Sequence, residues 1–139
     1  MLCFLAAALS TGAILDAQNT AGVPVVNGDR PTVVAFFPNA SKIGHDNANG
    51  NEALSDFKYS AMHVKKPLGR LGIQFAEEYG RSFRIRSESK SVLFTRKNGT
   101  PSYYFFAPGK RPRIEYGVKT DSDLLAVARQ YFDLADGKR

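Results

Sequence analysis

Six consecutive residues, 32–37 (TVVAFF), carry no charge, are β-branched or aromatic except for one alanine, and stand between Pro31 and Pro38. A run this short, never alternating with polar residues, reads as a strand buried on both faces. Residues 102–107 (SYYFFA) repeat the pattern and predict a second central strand.

Between these runs the hydrophobic period changes. Leu54, Phe57, Ala61, Val64, Leu68 and Leu71 recur at alternating spacings of three and four, which places them in one stripe along a helix. Pro67 lacks an amide proton and its ring meets the carbonyl of His63, so the helix is expected to kink or restart there and to end near Gly72. Asn49 with Glu52, or Asn51 alone, supplies the N-cap after a polar loop over 39–51. Ile73, Phe75 and Tyr79 then suggest a strand, and Phe83 and Ile85 alternate with Arg84 and Arg86. Residues 92–96 form a further strand, Asn98-Gly99 a hairpin turn, and Ile114 and Tyr116 alternate with charged neighbours over 113–116. Thr120 and Asp123 open a helix carrying Leu124, Leu125, Ala128, Tyr131 and Phe132 on one side. The order predicts an α/β chain: an opening βαβ with its two strands parallel, then antiparallel hairpins, in one mixed sheet flanked by two main helices.

The chain has 139 residues, 43% hydrophobic, enough for one domain with a real core. It has 19 Lys and Arg against 13 Asp and Glu, a net charge of +6. Its one cysteine, Cys3, and two histidines cannot build a four-ligand Cys/His zinc site, a Cys-x-x-Cys dithiol or an internal disulfide. No metal or cofactor is expected. Residues 1–15 (MLCFLAAALSTGAIL) are uncharged and shorter than the ~20 residues a spanning helix needs, which suits the apolar region of a secretory signal peptide. The expected organisation is a signal peptide over 1–17, a linker over 18–30 rich in turn-forming residues, a domain over 31–135 and a tail over 136–139. The expected compartment is periplasmic or extracellular, and cleavage would remove Cys3.

The succession of elements resembles the thioredoxin fold. The residues that carry the likeness are VVAFFPNASK at 33–42, GTPSYYFFAPGKRPRIEYG at 99–117, and the amphipathic helix that follows. Aligning the strands puts Ser41 at the place of the family's nucleophilic cysteine and Gly44 at the resolving one. Thr100-Pro101-Ser102 resembles the segment whose proline is cis in that family; Pro101 also suits the close of a hairpin turn after Asn98-Gly99. The helix the family places between its second and third strands is replaced here by the strand-like segments 82–86 and 91–96. The resemblance implies a redox-inactive domain that binds a protein segment or small ligand through Ser41, His45, Thr100 and Pro101. A serine hydroxyl cannot take the thiolate's role at a helix N-terminus, because its pKa lies far above neutral.

Two other readings stand beside it. An enzyme would use Ser41 and His45, with Asp46 adjacent, on the loop at the strand end; no G-x-S-x-G elbow surrounds Ser41. His63 reads as a partly buried structural histidine, and Glu77 and Glu78, adjacent on a strand, as facing opposite sides. A polyanion-binding module would use a basic face formed by Arg84, Arg86 and Arg113. Glu77, Glu78, Glu88 and Glu115 lie among those cations and no RNP-type motif is present, so an anionic surface is expected before nucleic acid.

Overall fold

Thr32–Phe37 is a strand and every one of its residues is buried, so the element that most constrains the sequence also lies at the centre of the molecule. The computed structural model describes residues 22–37, 48–95 and 100–135. Along the chain these form β1 (Val25–Asn27), β2 (Thr32–Phe37), α1 (Ala48–Arg70), β3 (Gln74–Tyr79), β4 (Ser82–Arg86), β5 (Ser91–Thr95), β6 (Ser102–Phe106), β7 (Arg113–Tyr116) and α2 (Asp121–Tyr131).

The strands divide into two mixed sheets rather than the single one expected. A four-stranded sheet has the order β3-β2-β6-β7, and a three-stranded sheet the order β1-β4-β5. In the first, β2 and β3 run parallel around α1, and β6 and β7 add antiparallel. In the second, β1 is parallel to β4 and β5 antiparallel. Side chains of a strand alternate between faces, and here each face of the larger sheet has its own cover. Val33, Ala35, Phe37, Tyr103 and Phe105 pack against both helices, through Phe57, Val64 and Leu68 of α1 and Leu124, Ala128 and Tyr131 of α2. Val34, Phe36, Tyr104 and Phe106 pack against Val26, Phe83, Ile85 and Phe94 of the smaller sheet. Three layers result, with β2 and β6 in the middle. Phe83 and Ile85 alternate with arginines because they line the inner face of an outermost sheet.

The smaller sheet corrects the N-terminal boundary. β1 falls inside the stretch read as a linker, Val26 is buried, and the Pro24 carbonyl and the Gly28 amide bond to Arg84 and Arg86 across β4. A strand of only three residues, flanked by Pro24 and Gly28, carries too short a pattern to stand out from turn-forming neighbours.

Helix α1 runs through Pro67 without a break. Its stripe is buried at Phe57, Ala61, Val64 and Leu68, but Leu71 is 49% exposed. The reason is the helix stop. Gly72 takes φ +76°, its amide bonds to the Gly69 carbonyl, and the Ile73 amide reaches back to the Leu68 carbonyl. That pair of bonds is the Schellman arrangement, which turns the chain out of the helix and brings the next apolar residue onto the core. Ile73, not Leu71, therefore closes the stripe.

Candidate functional site

The carboxyl ends of the parallel strands meet at Phe37 and Tyr79, and β6 starts beside them because Ser102 pairs with Phe36. β7 finishes at the same end, with Tyr116 opposite Ser102. In open α/β sheets this is the end that presents ligand sites. Helix α2 begins there, since only residues 117–120 separate it from β7.

Thr100 and Pro101 lead into β6 at this end. The Ser102 hydroxyl donates to the Thr100 carbonyl at 3.2 Å, and the Gly117 amide donates to the Pro101 carbonyl at 2.8 Å. The peptide bonds of the described residues are all trans. Pro101 therefore lacks the cis geometry of the resemblance, and it closes no hairpin after Asn98-Gly99 either, because β5 and β6 belong to different sheets and do not pair; it leads instead into the β6–β7 ladder. Ser41 and His45 fall outside the described residues.

Around these backbone groups lie side chains that sequence reasoning did not assemble. The Tyr79 hydroxyl donates to Glu77 Oε2 at 3.0 Å. Burial, with the Glu77 hydrogen bond and charge added to it, pushes the Tyr79 phenol up to about 12. Glu78 points to the opposite face, half-buried, and loss of water raises its carboxyl above the usual range. Next to this end a groove of about 430 Å³ runs between Asp56, Tyr59 and Ser60 of α1 and residues 118–121. Behind it, Tyr103 is fully buried, its oxygen accepts from the Lys119 amide at 3.4 Å, and burial pushes its phenol up to about 12. Asp56, Lys119 and Asp121 give the groove charge of both signs, and Tyr59 and Val118 give it apolar area. Mixed polar and apolar walls suit an extended polypeptide segment better than a single small anion. Of these features the opposite facing of Glu77 and Glu78 and the Thr120–Asp123 capping signal were visible beforehand.

The basic face does not hold together. Arg84 and Arg86 share the outer face of the smaller sheet, where Arg84 Nη1 donates to Ser91 Oγ at 2.9 Å. Arg113 lies on the other sheet, turned toward α2. It pairs with Glu115 at 2.7 Å and donates to Gln130 Oε1 at 2.7 Å. Alternation along β7 set this: the charged residues face the helix, while Ile114 and Tyr116 face outward. His63 is likewise not partly buried. It is exposed on α1, its ring tilted against Tyr59 with centroids 4.1 Å apart, and its Nδ1 is 2.8 Å from the Tyr59 carbonyl.

A second cavity, of about 480 Å³, opens at the opposite end of the sheets between Asp29, the β4–β5 turn, Phe106 and the Pro108-Gly109 turn. Among the described residues no three His, Cys, Asp or Glu side chains gather as metal ligands, and no helix is long and apolar enough to cross a membrane. Comparison of the chain with protein-family models, with curated proteins and with solved structures gave no match.

Proposed function

We propose that this chain is a thioredoxin-like binding domain without dithiol chemistry, taking an extended protein segment across the carboxyl ends of β2 and β3. The observation that carries the reading is the order β3-β2-β6-β7 with a parallel β2/β3 pair and both helices on one face. That is the succession of an opening βαβ, a β-hairpin and a closing helix. The three-stranded sheet takes the place of the family's intervening helix on the other face. With Cys3 as the sole cysteine, the scaffold has no dithiol with which to exchange a disulfide. The segment would lie over Thr100 and Pro101 toward the groove beside Tyr59 and Lys119. Export with loss of residues 1–17 belongs to the same reading, and the intact mass of the secreted protein tests it.

The binding test uses isotope-labelled protein and peptides selected from a random library. Saturable amide shifts are expected at Thr100, Gly117 and Lys119. Shifts confined to Arg84 and Arg86, weakening steeply between ~50 and ~200 mM salt, would replace the reading with polyanion binding. Substrate turnover that is lost on Ser41→Ala or His45→Ala would replace it with an enzyme.

A further inference from the structure

We propose that the groove between α1 and residues 118–121 takes a basic side chain, arginine or lysine, from the bound segment. This rests on the reading of that end as a site for an extended protein segment, and it names the residue the segment must carry. The charges of the wall favour a cation. Asp56 and Asp121 line the groove, and among the described residues neither enters an ion pair. Lys119 is drawn to β7, where its Nζ lies 3.9 Å from Glu115 Oε2. The chain as a whole carries +6, so two unanswered carboxylates in one groove run against its general charge. An anion is disfavoured at the same place. Helix α2 begins here, and a helix N-terminus ordinarily attracts negative charge. That end already holds Asp121 and Asp123 in its first turn, and Thr120 Oγ1 takes the Asp123 amide. An incoming carboxylate or phosphate would meet like charge and a donor already used.

Ser60 points the same way independently. It lines the groove from α1 and is only 5% exposed, yet its hydroxyl has no hydrogen-bond partner among the described residues. Its oxygen is not sealed in by protein either, and so opens on the groove. Buried polar groups are normally paired, and a serine oxygen can accept from the N–H groups of a cation. Tyr59, 59% exposed on the same helix, adds an aromatic wall beside which a cation is favourable. Two carboxylates, a hydroxyl acceptor and an aromatic ring suit an ammonium or guanidinium, which brings several donors and no acceptor.

Peptides selected from a random library on the full chain test this, with Kd read by fluorescence anisotropy. The selected sequences should share one position held by arginine or lysine. Replacing that residue by glutamine, which leaves the protein untouched, should weaken binding about ten-fold, the equivalent of one charge-assisted hydrogen bond. D56N and D121N should each weaken the basic peptide to a similar degree and leave the affinity of its glutamine counterpart where it was, while thermal melts confirm that both variants are folded. Selected peptides that shift the Thr100 and Gly117 amides but share no basic position, or that bind the folded D56N and D121N chains as tightly as the wild type, overturn this inference and leave the segment-binding reading standing. Peptides that shift nothing at that end overturn both.

Discussion

The α-carbon of Gly28 rests against Ile85: a methyl group on it would stand 2.4 Å from Ile85 Cγ2 and 3.0 Å from Phe106 Cε1. This is where the chain passes from the smaller sheet to the larger, and the Gly28 amide donates to the Arg86 carbonyl at 2.8 Å. Any side chain here must push the two sheets apart. Gly28→Ala should cost ~1–3 kcal/mol, the range for overpacking a well-filled core. Because the closest clash is with the Ile85 side chain, a denaturation cycle with Ile85→Ala should show less than additive loss. Additive losses would place the strain elsewhere.

Phe83 is the residue through which the smaller sheet grips the larger. Its ring lies 5.2 Å from Phe36, 4.9 Å from Tyr104 and 5.2 Å from Phe94, centroid to centroid. Phe83→Ala should cost ~3–5 kcal/mol, as for other buried phenylalanines. The effect should be local first. Amide exchange should accelerate at Val92 and Phe94 in β5 before it does so at Val34 in β2, and uniform acceleration would mean that the two sheets unfold as one.

Elements were legible in the sequence wherever one period ran long enough. TVVAFF and SYYFF became central strands, and the Phe57–Leu68 stripe became a helix face, because burial on that scale imposes composition directly. The strand character of residues 82–86 and 91–95 was legible for the same reason. Their separation into a second sheet was not, since alternation tells which side chains share a face but not which layer lies beyond it. β1 escaped because three residues cannot establish a period. The candidate site was read at Thr100 and Pro101, and at Ser41 and His45, which lie outside the described residues. Tyr79, Tyr59 and Lys119 come to it from three elements far apart in sequence, and no local pattern announces such a meeting. Arg113 was misassigned because its charge suggested solvent, whereas Glu115 and Gln130 satisfy it on the helix side.

Stability should fall in alkaline solution through the tyrosines. Burial holds the Tyr103 phenol up to about 12 against an ordinary value of 10.0, so between these limits the folded chain keeps a proton that the unfolded chain releases. The folded state's advantage is complete below pH 10 and is lost as pH rises toward 12. Melting temperature followed from pH 8 upward should be level at first and then drop. Tyr79, Tyr104 and Tyr131 are raised as well, so Tyr103→Phe should make the drop shallower without abolishing it. An unchanged profile in that variant would remove Tyr103 from the account.

Thr120 holds the start of α2. Its Oγ1 accepts from the Asp123 amide at 3.1 Å, in extended backbone, and so satisfies one of the donors a helix leaves open at its first turn. Thr120→Ala should cost ~1 kcal/mol, and Thr120→Ser, which keeps the acceptor, only a small part of that. The same residue borders the groove. The serine variant should therefore also retain peptide binding, and equal destabilisation by both substitutions would mean that the methyl packing rather than the cap stabilises this turn.

Arg84 offers the sharpest separation of stability from function. Its stem crosses the outer face of the smaller sheet between its register partners Val25 and Leu93, both exposed, and Nη1 donates to Ser91. Its Nε, however, is buried without a hydrogen-bond partner among the described residues. A buried donor left unmade carries a desolvation cost that an apolar replacement of similar shape avoids. Arg84→Met keeps the stem's contacts and removes that donor together with the charge, so stability should be unchanged or higher by up to ~1 kcal/mol. If the face serves only to cover Phe83 and Ile85, peptide binding at the far end should also be untouched. A variant that folds normally yet loses affinity for an anionic polymer such as heparin would instead show that the arginine is kept for its charge, at a cost in stability that the outer face need not otherwise bear.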